Sequence, residues 1–257
     1  MISIPSKSKK AQFSEDIIAV VGPTYQAAMV RDQIFDSIKK FINYIFISTY
    51  PALTCSVYMY GSVPLKTFLV DSDIDISLII SDASGVIQPP LCYPIYSELI
   101  KRFEEVAAAN SEIRGIHSIM ADVQVIKMQW YSVPIDITLQ QYSACIAYNF
   151  LEWIDQMMGK EGLFKRSIIL IKSWCLYESH ILGSQNGNLC SYAIEIMILY
   201  ILNNYHDECY TPLDVLSLFI KSFGNFEWDK QILTIFGPIS IDSYKKELAT
   251  VNYTIKL

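Results

Sequence analysis

The chain has 257 residues, of which 52% are hydrophobic and 18% charged, and carries a formal net charge of −6. That composition supplies apolar surface for a sizeable core, in one large domain or two small ones, and excludes disorder as the main state. The acidic balance excludes a general attraction to nucleic acid, so a polynucleotide has to meet local groups: Lys7, Lys9 and Lys10, Lys39 and Lys40, Lys165 and Arg166, or Lys245 and Lys246.

The opening MISIPSKSKKAQFSED has no apolar stretch followed by a small-residue cleavage site, so an intracellular protein of cytoplasm or nucleus is expected. The run AIEIMILYIL at 193–202 is too short to span a membrane, and no membrane partner is expected. The six cysteines, at 55, 92, 145, 175, 190 and 209, stand singly without a CxxC pair, which reads as reduced, mostly buried thiols. The histidines at 117, 180 and 206 form no ligand or nucleophile pattern.

In chain order, Ile34, Ile38, Phe41, Ile42 and Ile45 recur at helical spacing, which predicts a lead-in helix over Tyr25 to Ser48. Strands are predicted over Cys55 to Tyr60, Ile74 to Ile80, Val123 to Trp130 and Pro134 to Leu139, with a helix over Tyr96 to Ala108. Beyond Gly162 the pattern turns almost wholly helical, over Leu163 to His180, Ser191 to Asn204 and Thr211 to Phe223, with a break at GSQNGN 183–188. The expectation is an α+β protein, with a small mixed-sheet domain over 1–160 followed by a helical domain over 161–257.

The stretch YMYGSVPLKTFLVDSDIDISLII, from Tyr58 to Ile80, carries the chemistry. Period-two alternation puts Ile74, Ile76, Leu78 and Ile80 on one face of a strand and Asp73, Asp75 and Ser77 on the other. Two carboxylates so close repel unless a cation lies between them, and hard oxygen donors suit magnesium or manganese. YSVPIDITLQ repeats the pattern, so Asp136 joins the pair if its strand lies alongside. Three carboxylates around two ions can hold a nucleoside triphosphate for in-line displacement. Gly61 permits close backbone approach, and Ser62 is placed to cap the next turn and face a phosphate. Asp71 reads as a solvated or capping turn residue. In the helical part, Lys165 and Lys172 lie seven apart on one helix face, and lysine is a suitable point charge for phosphates.

The GS, DSDID and PIDIT segments resemble the three motifs of the polymerase β-type nucleotidyltransferase superfamily. YGSVPLKTFL, GLFKRSIILIKSWCLYESHILG, CSYAIEIMILYIL and FEWDKQILTIFGPISI are similar to its noncanonical poly(A) polymerase and terminal uridylyltransferase branch, in particular plant-type poly(A) polymerase/oligoadenylate-synthetase substrate-binding domain proteins. The resemblance runs from about residue 30 to 245. It implies a palm-like catalytic lobe and a helical lobe, with Asp73 and Asp75 on both metal ions and Asp136 on the ion that activates the acceptor hydroxyl. It further implies triphosphate contacts from Ser62, Lys172 and Ser191, and a base stacked on Tyr192. The implied activity adds nucleotides from ATP or UTP to an RNA 3′ end, with an accessory RNA-binding protein as a further partner. Two positions depart from the pattern: Leu176 replaces a second lysine, and Gln140 and Gln141 replace a ribose-contacting asparagine. No base-selecting segment is recognised before Leu257. Those departures and the acidic charge leave two alternatives open, a non-catalytic scaffold and transfer to a non-RNA acceptor.

Overall fold

The computed structural model describes residues 9–86, 93–119, 123–183, 187–234 and 236–246. Two compact units are present, Val21–Met157 and a second formed by the residues up to Val20 together with those from Met158 onward. The first helix, α1 (Lys9–Val21), which sequence patterning did not reveal, thus groups with the C-terminal part, where Glu15 pairs with Arg166 of a later helix. Lys7 and Cys92 lie outside the described residues.

The Val21–Met157 unit begins with α2 (Tyr25–Thr49), capped by Thr24 Oγ1 accepting from the Ala27 amide. Its stripe Ile34, Ile38, Ile42 and Ile45 is buried, as the helical spacing predicts. There follow β1 (Thr54–Tyr60), the short α3 (Ser62–Leu65), β2 (Ile74–Asp82), β3 (Gly85–Val86), α4 (Tyr93–Ala109), β4 (Ile113–Ile119), β5 (Val125–Trp130), β6 (Val133–Leu139) and α5 (Tyr142–Met158). The sheet runs β1-β2-β6-β5-β4, with β3 paired to β2. Among the described residues of this sheet, only β2 and β6 pair in parallel; the other pairings are antiparallel. The apolar faces of β2 and β6, Ile74, Ile76, Leu78, Ile80, Ile135 and Ile137, are fully buried and join α2 and α4 residues in one core. Each such side chain contributes roughly 1.5–3 kcal/mol through burial.

In the second unit, α6 (Leu163–Ser173) continues into a π-type turn at Trp174–Glu178 where one unbroken helix to His180 is expected from sequence. Then come α7 (Ser191–Asn204), α8 (Pro212–Phe223) and a hairpin of β7 (Gln231–Thr234) and β8 (Gly237–Ser240). Thr211 and Asp214 form a reciprocal capping box that starts α8. Of the five described cysteines, Cys175 and Cys209 are buried and Cys190 is exposed. Burial pushes the Cys175 thiol up to about 12, which keeps it unreactive. No helix among the described residues is long and apolar enough to cross a membrane.

Candidate active site

Strand register brings four polar side chains into one row across the sheet. Tyr60 pairs with Asp75, Asp75 with Asp136, and Asp136 with Lys127. Paired residues project to the same face, so the alternation read from sequence is met on adjacent strands. Carboxylate oxygens of Asp73, Asp75 and Asp136 lie within 4.8 Å of one another, the single such group of His, Cys, Asp and Glu among the described residues. All three are partly buried, which weakens the solvent screening of their mutual repulsion.

Gly61 shapes the floor of this cluster. Its φ of 76° is the left-handed region, and a Cβ built there would stand 2.6 Å from Asp75 Oδ2. Any side chain would therefore be strained and would collide with the carboxylate. Gly61 is also the residue that caps α3; Ser62, expected from sequence to cap this turn, is instead its first helical residue. The Ser62 carbonyl accepts from the Thr67 amide at 2.9 Å, closing the loop. Farther along the acidic face the hydroxyls serve the fold: buried Ser77 accepts from the Gln141 amide at 3.0 Å, and buried Thr138 donates to the Ile76 carbonyl at 3.0 Å. Burial, with the Asp75 charge beside it, raises the Tyr60 phenol above its ordinary range, so it stays protonated.

The donor set fits a divalent cation. Three carboxylates offer only hard oxygens, which suit magnesium or manganese rather than zinc or copper, and the missing side chain of Gly61 lets the Asp75 carboxylate lie close against its backbone. Lys127 was not singled out from sequence, yet its ammonium contacts Asp136 Oδ2 with the two side chains 23% and 17% exposed. Its signal is arithmetic: with Tyr131 and Ser132 as the hairpin connection, Lys127 and Asp136 are equidistant from the turn. Lys127→Met removes a cation that offsets the acidic cluster. Thermal melts should show a lower Tm for this variant without metal, and a larger Mn²⁺-induced rise than in the wild type, because the ion replaces the lost charge.

The remaining predicted residues belong to the other unit. Lys172 is 3% exposed on α6, so it is buried rather than a surface lysine. Ser191 is the first residue of α7, after Cys190, whose Sγ accepts from the Ala193 amide. Tyr192 is 47% exposed although its spacing alone reads as core. Glu195, one turn further on α7, was also missed: it is buried, and desolvation pushes its carboxyl up to about 7 while the Lys172 charge acts in the opposite direction. The folded chain then holds a proton between pH 4.5, the ordinary value, and about 7 that the unfolded chain releases. Stability from this group is complete below that window and falls as pH rises through it, on the order of 3 kcal/mol in all. Denaturation measured from pH 4.5 to 8 should show this decline, and Glu195→Gln should abolish it.

Asp71 is exposed in the turn before β2 and is not among the clustered acids. That turn is closed instead by Ser72, whose Oγ accepts from the Leu69 amide at 2.9 Å. The Gln140 amide accepts from the Ile80 N–H at 3.2 Å and donates to the Ile80 carbonyl at 2.9 Å. It serves the end of β2, and so it is not spare for a ribose.

Residues 158–254 match the sequence profile of the PAP/OAS1 substrate-binding domain. No curated protein sequence matches the chain. Among solved structures, a Cid1 poly(U) polymerase matches with a TM-score of 0.70 at 16% identity, over 93% of this chain and 81% of that one. A structure of the GLD-2/RNP-8 complex matches with 0.70 at 12% identity, over 90% and 80%. A cytoplasmic RNA terminal U-transferase matches with 0.58 at 17% identity, over 76% of this chain and 53% of that one, so the chain spans about half its length. At these identities the shared property is the fold: a mixed-sheet unit with a helical unit, the α+β class expected from sequence.

Proposed function

We propose that this chain, with the fold of those polymerases and a PAP/OAS1 substrate-binding profile over 158–254, is a metal-dependent nucleotidyltransferase. In this reading it adds nucleoside monophosphates from ATP or UTP to an RNA 3′ end, in cytoplasm or nucleus. The observation that carries the proposal is the cluster of Asp73, Asp75 and Asp136 on adjoining strands beside Gly61. Support comes also from Cid1 poly(U) polymerase structures of this fold, which hold magnesium with GTP or ATP.

Asp73 and Asp75 would hold two magnesium or manganese ions, with Asp136 on the one beside the acceptor hydroxyl. When bound there, the ions lower the pKa of that hydroxyl and offset the charge that gathers on the departing pyrophosphate. The acceptor oxygen bonds to the α-phosphorus as the bond to the bridging oxygen of pyrophosphate breaks. The absent side chain of Gly61 lets the Asp75 carboxylate pack against its backbone, and we assign Gly61, with Ser62, to the nucleotide's phosphates. Lys172 is assigned to the triphosphate as a point charge, Ser191 to a phosphate oxygen, and Tyr192 to the base. An exposed aromatic at Tyr192 is costly to leave in water and useful for stacking. Tyr192→Ala should raise the triphosphate KM about 5- to 150-fold, the equivalent of one lost stack, whereas Tyr192→Phe should stay near the wild type. With a net charge of −6, affinity for RNA calls for an accessory RNA-binding protein; GLD-2 is itself seen in complex with a second protein, RNP-8.

The test is incubation of the purified chain with labelled oligo(A) RNA, Mg²⁺ or Mn²⁺, and each ribonucleoside triphosphate separately. Extension with ATP or UTP that disappears in Asp73→Ala is the expected result. Metal-dependent triphosphate binding without extension would move the acceptor away from RNA, and no triphosphate binding at all would contradict the enzyme reading.

A further inference from the structure

Arg31 continues the buried stripe of α2, one turn before Ile34, and is itself only 5% exposed. A guanidinium in such a place loses hydration that an apolar side chain of the same volume would not lose, so its retention calls for a task. Its Nη2 donates to two backbone carbonyls, Val70 and Ser72, at 3.0 Å each, and Nη1 donates to the Ala27 carbonyl at 3.4 Å. The guanidinium also lies 4.5 Å from the centre of the Phe68 ring. All of these contacts outside its own helix fall on Phe68 to Ser72, the segment that delivers the chain to Asp73.

Asp75 and Asp136 are held by strand pairing, since they face each other in the parallel ladder. Asp73 is not: the ladder with β6 starts at Ile74, and the ladder with β1 ends at Asp75. The turn before it therefore also bears on its location. That turn is tied on one side by Ser72, which exchanges two hydrogen bonds with the Leu69 backbone, and on the other by Arg31. Arg31 feels the negative charges of Asp73 and Asp71, which partly offset the effect of its burial.

We propose that Arg31 is a positioning residue for the ion site: its two-carbonyl clamp holds the turn so that Asp73 meets Asp75 and Asp136 at ion-binding distance. This rests on the reading of the three carboxylates as ion ligands. Outer partners that fix a ligand change metal affinity about 10- to 100-fold when removed. Lysine retains the charge but ends one bond short of the Nη2 that donates to both carbonyls, and it lacks the planar guanidinium that lies against Phe68.

The experiment titrates Mn²⁺ into wild type, Arg31→Lys and Asp73→Asn, following free Mn²⁺ by electron paramagnetic resonance and nucleotide transfer in parallel. The expected result for Arg31→Lys is a midpoint shifted about 10- to 100-fold to higher Mn²⁺, with turnover at saturating Mn²⁺ restored to near the wild-type value. An unchanged midpoint with lower turnover at every Mn²⁺ concentration would mark a merely structural residue and overturn the proposal. If Arg31→Lys does not fold, Ser72→Ala loosens the same turn from its other tie; a weaker Mn²⁺ midpoint is expected, and an unchanged one overturns the clamp. Failure of the underlying reading looks different: wild type would bind no Mn²⁺, or Asp73→Asn would bind it undiminished, and the clamp would fall with it.

Discussion

Asp75→Ala is expected to lower metal-dependent nucleotidyl transfer about a thousandfold or more, the scale of losing preorganised charge stabilisation at the reacting centre. Asp75 is an inner member of the row, flanked by Tyr60 on one strand and Asp136 on the other. Its loss removes one of the three clustered carboxylates and leaves a smaller, less charged group. The strand itself should survive, because the core face of Ile74 and Ile76 is untouched. Single-turnover rates at saturating metal, with a melting curve as control, separate this loss of chemistry from a loss of fold. Asp73→Ala should behave alike. Retention of activity in either variant would contradict the site assignment.

Gly61→Ala is expected to be nearly as damaging, though it alters no charge. The new methyl would begin 2.6 Å from Asp75 Oδ2, on backbone held at φ 76°. Strain from this positive-φ, nearly glycine-only backbone costs about 1–3 kcal/mol, and the collision has to be relieved by moving either the α3 loop or the carboxylate. Moving Asp75 breaks its spacing to Asp73 and Asp136. Displacement of a catalytic group by about 1 Å can cost on the order of a hundredfold in rate. The expected result is a Tm lowered by several degrees together with transfer reduced about a hundredfold or more. Wild-type turnover in this variant would show that the carboxylate is not held where the structure has it.

The carboxylate cluster was legible because strand alternation and the burial of isoleucines are local. Ile74, Ile76, Ile135 and Ile137 identify the packed faces of two strands, and the acids are then on the opposite faces. Pairing of β2 with β6 is a long-range fact; the sequence carries only the condition that their strands adjoin. Lys127 was hidden for the same reason, since its relation to Asp136 appears only when the Tyr131–Ser132 connection is known. Arg31 went unread because a charge on a helix is ordinarily assigned to solvent, and only its register with Ile34 and Ile38 hints otherwise.

Elements with weak patterns were harder to read. In β4 one residue of seven is buried, and the register shifts between Arg114 and His117, where Gly115 has a φ of 66°. Such an irregular strand has no alternation to detect. In α5 only Leu151 is fully buried, while Ile146, Trp153 and Met157 are exposed, so apolar identity does not mark the packed face. The widening of α6 into a π-type turn depends on backbone bonds five residues apart, which side-chain periodicity does not record. Tyr192 shows the converse case: spacing within an apolar helix suggests core, and the resemblance alone marked it as a residue open to a ligand.

The most direct measurement is equilibrium binding of Mn²⁺ to the purified chain in the presence of a non-hydrolysable triphosphate analogue, compared with Asp75→Asn. The wild type is predicted to bind Mn²⁺ and the analogue cooperatively, each strengthening the other, and the Asp75→Asn chain to lose both. Equal Mn²⁺ and analogue binding by the two proteins would contradict the claim that Asp73, Asp75 and Asp136 form an ion site for a nucleoside triphosphate.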